Sequence, residues 1–120
     1  MALVFPLSHI ALTAGIMAVV SLLLLFGTRR YFKVRSAAEI IIMAVVAGFS
    51  VLVWRSAGNT TALNADPIPA ISPNDALCPL VTYVFLGLYA SIRAPSDERR
   101  WAQARALLTL LSFVINVVTI

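Results

Sequence analysis

Charged side chains are scarce in this sequence: 12% of its 120 residues are Asp, Glu, Lys or Arg, and 61% are hydrophobic. In a typical soluble domain about a quarter of the residues are charged. A chain this short cannot enclose so much apolar surface in one core of its own. Abundant apolar residues also exclude intrinsic disorder, which requires low hydrophobicity. The composition therefore indicates an integral membrane protein.

Reactive side chains are equally scarce, since Cys78 is the one cysteine and His9 the one histidine. A single cysteine excludes an internal disulfide. Hydrolysis or group transfer needs a nucleophile and a base within hydrogen-bond reach of each other, and the chain offers few residues for such a pair. We therefore expect no enzyme and no catalytic or metal-binding residues, so any catalysis would belong to partner subunits. No cofactor of its own is expected either.

Long apolar runs are what the sequence has in abundance. They predict transmembrane helices at about 6–27, 37–54, 76–92 and 102–120. A helix that crosses a hydrocarbon core of roughly 30 Å needs about 20 residues, and the three later runs reach that length only with their flanking residues. The expected fold is all-α, a single membrane domain of four transmembrane helices. Gly27 is a candidate end for the first helix, and Pro79 falls in the expected first turn of the third, where a missing N–H is harmless.

The basic residues alternate in number along the connections between these helices. The first connection holds Arg29, Arg30, Lys33 and Arg35, the second holds Arg55, and the third region holds Arg93, Arg99, Arg100 and Arg105. Basic residues mark the cytoplasmic side of short loops. The pattern predicts short cytoplasmic loops, with both termini on the non-cytoplasmic side of a bacterial inner membrane or an energy-transducing organelle membrane. The net charge of +4 is then explained by membrane-surface anchors, and no nucleic-acid partner is expected.

One connection, residues 55–75, is long and contains Pro67, Pro69 and Pro73. Proline favours extended and turn conformations, so this segment is predicted to be an outer loop. A solvated connector and a contact surface for a partner are both compatible with it.

Two ionisable residues near the predicted helix ends are candidates for chemistry. His9 could ligate a haem or a chlorophyll-type magnesium, and the competing interpretation is an interfacial histidine. Glu39 lies four residues after Arg35, at the boundary of the second helix. Transporters that couple to protons place a carboxylate inside the membrane, whereas this position favours capping and ion pairing.

Residues that would hold the helices together are easier to recognise. Small residues at four-residue spacing allow helices to approach closely, and an amide inside a membrane helix needs a partner on another helix. The predicted helix-packing residues are Gly15, Ala44, Gly48, Gly87 and Asn116. Arg105, near the start of the fourth helix, is expected to extend its guanidinium to the membrane interface.

The scarcity of polar interior groups favours a non-catalytic accessory subunit of a larger membrane complex, in an energy-transducing respiratory or photosynthetic assembly. Its partners would be other membrane-protein subunits and lipids, with a lipid, quinone or pigment held at shared interfaces. The alternative is a small homo-oligomeric transporter or channel with a polar path at a subunit interface, formed by Asn116, Ser112 and Thr109. A third hypothesis is an assembly factor that is absent from the mature complex.

Overall fold

The computed structural model describes residues 6–32, 37–59, 73–94 and 97–119, with the backbone alone at Phe32. The four helices in these ranges are α1 (Leu7–Phe32), α2 (Ala37–Ala57), α3 (Pro73–Ile92) and α4 (Glu98–Thr119). Each is long and apolar enough to cross a membrane. The all-helical expectation with four spanning helices is confirmed at this level, and the four apolar helices fit an integral membrane protein.

The helices form a bundle in which α1 packs against α2 and α4, and α3 also packs against α2 and α4. Consecutive helices run in opposite directions, and the bundle measures 44 × 25 × 25 Å. One end, where α1 leads to α2 and α3 leads to α4, is called the basic end below. The other, where α1 begins and α4 stops, is called the terminal end.

Each helix turns one narrow stripe of residues towards the bundle axis. Near the basic end the stripes meet in a cluster of Leu25, Ile40, Met43, Leu86, Ala104 and Leu108. Towards the terminal end they meet in a second cluster of Ala14, Met17, Ala47, Val51, Cys78 and Ile115. Large apolar side chains also cover the outside, among them Leu12, Leu23, Val45, Leu80 and Leu110. An apolar exterior of this kind suits a lipid environment.

All four helices are longer than the sequence predicted, and in α1 and α4 the extension has local reasons. α1 continues through Gly27 to Phe32, because a glycine interrupts a helix only weakly and the basic side chains of the last turn interact favourably with the helix dipole. α4 begins at Glu98 instead of near 102. Asp97 is its N-cap residue, since the Arg100 backbone N–H donates to Asp97 Oδ1 over 3.0 Å.

The predicted loop 55–75 is shorter than expected, because α2 continues to Ala57 and α3 already begins at Pro73. Proline is favoured as the first residue of a helix, so Pro73 starts α3. Pro79 consequently lies inside α3 and not in its first turn. Its ring removes the N–H that would bond the Asp75 carbonyl four residues earlier. Pro67 and Pro69 lie outside the described residues.

Candidate functional site

The terminal end holds a buried ion pair between α2 and α3. Arg55 Nη1 donates to Asp75 Oδ1 over 3.4 Å, and the two side chains are 1% and 3% exposed. Both residues belong to helical segments that the sequence analysis assigned to a loop. α2 ends and α3 begins at the terminal end of the bundle, and the extra helical turns there place the two side chains opposite each other. A charge withdrawn from water is tolerated when it is paired, so each residue needs the other.

Neutral hydrogen bonds join the same two helix ends. Trp54 Nε1 donates to Asn74 Oδ1 over 3.0 Å, and Asn74 Nδ2 donates to the Gly58 carbonyl over 2.7 Å. The Gly58 N–H in turn bonds the Trp54 carbonyl. Carbonyls at the end of a helix lack partners within it, and Asn74 supplies a donor just beyond the end of α2. Trp54 therefore links α2 to α3.

Deeper in the bundle, a set of polar side chains connects three helices; we call Ser50, Thr82, Ser112 and Asn116 the polar ladder. The Oγ atoms of Ser50 and Thr82 lie 2.8 Å apart, and Thr82 Oγ1 lies 3.0 Å from Ser112 Oγ. Thr82 Oγ1 is also 3.2 Å from the Cys78 carbonyl. A hydroxyl has one proton to donate and two lone pairs to accept, so Thr82 can donate to one neighbour while it accepts from another.

Asn116 extends the ladder along α4 towards the terminal end. Its Nδ2 donates to the Ser112 carbonyl over 2.7 Å and lies 3.4 Å from Ser112 Oγ. The Asn116 side chain is fully buried within this single chain, and the Cys78 thiol lies beside it and Ser112. Its Oδ1 has no hydrogen-bond partner among the described residues, and the same holds for the buried hydroxyls of Thr13 and Ser21 on α1.

The arrangement places the one cysteine and the one histidine of the sequence in different surroundings. Cys78 is buried beside the polar ladder, while His9 lies in the first turn of α1, where its Nε2 is 2.8 Å from the Thr119 carbonyl. Because a carbonyl only accepts, Nε2 carries the proton and donates. A haem or chlorophyll-type metal at Nε2 would have to replace that bond. The described residues contain no group of three or more His, Cys, Asp or Glu side chains that could hold a metal ion.

The small residues divide into those that pack between helices and one that does not. A Cβ added to Gly48 would stand 2.8 Å from Ala18 Cβ and 2.9 Å from the Ala14 carbonyl oxygen, so α1 and α2 touch at this glycine. Ala44, one turn earlier on α2, is buried. Gly15 differs from the expectation, since a Cβ there would meet nothing within 4 Å. It lies on the outer surface of α1 because the core stripe of that helix passes through Ala14 instead.

Gly87 lies beneath an arginine side chain. A Cβ added to it would collide with the Arg105 guanidinium, with Cζ at 2.9 Å. Arg105 Nε donates to the Tyr83 carbonyl over 2.8 Å, and its Cζ lies 3.4 Å from the centroid of the Tyr83 ring. The guanidinium therefore lies across α3. A cation–π contact and the space at Gly87 hold it there. The sequence analysis expected the guanidinium to extend to the membrane interface at the end of the bundle, which it does not.

The remaining predicted residues lie at the basic end. Arg29 and Arg30 lie in the last turn of α1, and Arg99 and Arg100 in the first turns of α4. Arg100 Cζ lies 4.3 Å from the centroid of the Tyr31 ring, which joins α1 to α4.

Glu39 also lies at this end, in the first turn of α2, where it is buried. Its expected partner Arg35 lies outside the described residues, as does Lys33.

Sequence reasoning missed the Arg55–Asp75 pair and the contact between Ser50 and Thr82. The first had a signal, because Ser72-Pro73-Asn74-Asp75 is typical of a helix start, with a capping residue, a proline and an early carboxylate. Reading it as such would have moved the start of α3 to Pro73. The second had none, because single serines and threonines are common in membrane helices and their spacing says nothing about a partner helix.

Comparison with protein-family models, with curated proteins and with solved structures finds no match to this chain.

Proposed function

We propose that this protein is a non-catalytic structural subunit of a larger membrane assembly. One observation carries the proposal: among the described residues, buried polar side chains of three spans bond to one another across helices. The ladder joins α2, α3 and α4 through Ser50, Thr82 and Ser112, and Arg55–Asp75 closes the terminal end between α2 and α3. Such bonds fix the register of the helices and make the bundle a rigid body that can hold neighbours in place.

The same geometry favours this proposal over a homo-oligomeric transporter. That alternative needs Asn116, Ser112 and Thr109 at a subunit interface. Asn116 and Ser112 are fully buried within one chain, and the Thr109 hydroxyl bonds the Arg105 carbonyl of its own helix over 2.9 Å. A second copy that docks on the outside would not reach the two buried residues, so the polar path would have to open through the bundle itself.

The contact surface that we propose for a partner is the outer face between α2 and α3. Phe49 and Phe85 lie there with ring centroids 6.2 Å apart. Two shallow apolar grooves of about 290 and 260 Å³ flank them and share Phe85 as a lining residue. Grooved aromatic surfaces accept complementary side chains of a partner helix, or the isoprenoid tail of a quinone or pigment at a shared interface.

For the orientation, we propose that the basic end faces the cytoplasm. Within the described residues, Arg29, Arg30, Arg93, Arg99 and Arg100 belong to that end. At the terminal end the charge of Arg55 is balanced by Asp75. Since Arg55 is the one described basic residue at the terminal end, the positive-inside tendency would place both termini on the non-cytoplasmic side.

The test is to tag the C-terminus, extract the protein from its native membrane in mild detergent, and identify what co-purifies by mass spectrometry. We expect other membrane subunits in stoichiometric amounts, and redox or pigment-binding subunits among them if the assembly is energy-transducing. Stoichiometric presence in the mature complex also excludes the assembly-factor hypothesis. Recovery of copies of this chain alone, or solute flux in liposomes that hold this chain alone, would contradict the proposal.

A matched pair of variants tests the contact surface. Phe49→Ala combined with Phe85→Ala should release the partners, because it removes both aromatic side chains from the α2–α3 face, the exposed Phe49 and the partly buried Phe85. Leu23→Ala is the control, since Leu23 is 66% exposed on α1. Equal recovery of partners with both variants would place the contact elsewhere.

A further inference from the structure

Arg105 is a cation inside a spanning helix, on its outer surface. It lies seven residues after Glu98, where α4 begins, which is about 10 Å along the helix axis at 1.5 Å per residue. Tyr83, on which its guanidinium rests, is 44% exposed. The Arg105 side chain is itself only partly buried. It therefore faces the surroundings of the bundle, in the seam between α3 and α4.

The protein satisfies only part of this guanidinium. Nε donates to the Tyr83 carbonyl, an oxygen that also accepts the usual bond within α3. The rings of Tyr83 and Trp101 lie 3.4 and 5.6 Å from Cζ. Among the described residues no carboxylate forms an ion pair with Arg105. The ion pair between Arg55 and Asp75 lies at the terminal end. A guanidinium has five N–H donors, and the four on Nη1 and Nη2 point to no acceptor of the described chain.

We propose that the α3–α4 seam binds the headgroup of an anionic phospholipid, whose phosphate oxygens accept hydrogen bonds from Arg105 Nη1 and Nη2. A charged arginine in hydrocarbon is costly without a partner, and the planar guanidinium suits two phosphate oxygens at once. Basic pockets between helices on the cytoplasmic side of membrane proteins hold such headgroups.

Charge complementarity at the same end supports an anionic headgroup. Arg93, at the end of α3, is exposed, and Arg99 is exposed in the first turn of α4. Each basic residue near a membrane surface adds about 1 kcal/mol of attraction for anionic lipid. These two residues would add to the general attraction of the basic end for anionic lipid, while Arg105 would fix one headgroup in place.

Gly87 is a positioning residue for this site. A side chain there would displace the guanidinium from α3 without altering the charge of the chain. The change Gly87→Ala therefore separates the geometry of the seam from the net charge of the basic end.

The experiment reconstitutes the full chain in nanodiscs of phosphatidylglycerol and phosphatidylcholine in equal amounts, and counts the retained lipids by native mass spectrometry. We expect the unaltered chain to retain phosphatidylglycerol preferentially. Arg105→Gln should reduce that retention by at least about tenfold, because the loss of even one charge-assisted hydrogen bond implies a change of that size. Gly87→Ala should reduce it as well, and Arg105→Lys should restore part of it.

Arg93→Gln is the matched control, because it removes one charge from the same end but not from the seam. Circular dichroism on each variant establishes that the helices are intact. Equal losses for Arg93→Gln and Arg105→Gln, or full retention by Gly87→Ala, would overturn the seam as the site. Stabilisation of the detergent-solubilised chain by inorganic phosphate to the same extent as by phosphatidylglycerol would overturn the lipid as the ligand. So would capture of a partner polypeptide, and no lipid, by a photocrosslinker at Tyr83 in the native membrane.

Discussion

Arg55 and Asp75 form an ion pair across 3.4 Å although twenty positions of sequence separate them, and both side chains are almost fully withdrawn from the surface. The last turns of α2 and the first turn of α3 hold them. Trp54 and Asn74, the residues just before them, form a second link between the same helices over 3.0 Å. The two links together fix how α2 and α3 meet at the terminal end.

Asp75→Asn should destabilise the protein strongly. The change leaves the Arg55 charge buried without its counter-charge, which costs about 3–5 kcal/mol for a buried pair. Unfolding in detergent micelles, followed by circular dichroism against denaturant, measures the loss. The double change Arg55→Met with Asp75→Leu should be less destabilising than Asp75→Asn alone, because it removes both charges. If the free energy of unfolding of Asp75→Asn lies within about 1 kcal/mol of that of the unaltered protein, the buried pair contributes no more than an exposed pair does.

Gly48→Ala and Gly15→Ala should change stability in opposite directions. At Gly48 the new methyl would meet Ala18 and the backbone of Ala14 at less than 3 Å, so the α1–α2 contact must widen, at a cost of about 1–3 kcal/mol. At Gly15 the methyl meets nothing, and alanine is favoured over glycine in a helix by about 1 kcal/mol. Denaturant midpoints of the two variants measure the difference. Destabilisation of equal size at both positions would contradict the packing described for α1.

Thr82→Val should weaken the link between α2, α3 and α4. Valine keeps the shape of threonine but cannot bond Ser50 or Ser112, which lie 2.8 and 3.0 Å from the hydroxyl. Interhelical hydrogen bonds in membrane proteins contribute about 0.6 kcal/mol each on average, so the expected loss is about 1 kcal/mol. Thr109→Val is the control, because that hydroxyl bonds only the carbonyl of Arg105 on its own helix. If the two variants unfold at the same denaturant concentration, the ladder does not stabilise the bundle.

Cysteine labelling should reveal the orientation of the bundle. In a Cys78→Ala background, Ser56→Cys places a thiol at the terminal end and Ala94→Cys places one at the basic end, and both positions are exposed. If the basic end is cytoplasmic, a membrane-impermeant maleimide added to intact cells should label the first variant and not the second. Permeabilised cells should allow labelling of both. The reverse pattern in intact cells would contradict non-cytoplasmic termini.

The polar ladder could be predicted in part. Asn116 was expected to face another helix, because an amide in hydrocarbon needs a partner, and the structure places it in the interior beside Ser112. Ser50 and Thr82 gave no such signal, since each could bond a carbonyl of its own helix, as Ser50 does with Ala47. Only the neighbouring helix distinguishes an interior hydroxyl from one facing lipid.

Charge and capping explain where the expected helix ends were wrong. Hydropathy marks the apolar centre of a span, so the polar first turns of α3 and α4 were assigned to loops. Pro73 and Asp97 begin these turns by local chemistry that apolar content does not report. The Arg55–Asp75 pair was missed for the same reason.

The sequence by itself determined that the chain forms four apolar helices of spanning length, because hydrophobicity and length are local properties that lipid selects directly. The even number of helices and the uneven distribution of arginines between the connections also follow from the sequence. The tertiary structure decided which face of each helix turns inward. On α1 that face holds Ala14 and not Gly15, and on the other helices it holds Arg55, Thr82 and Asn116. The apolar faces are nearly uniform around each helix, so only contact with a neighbour separates the side that packs from the side that meets lipid.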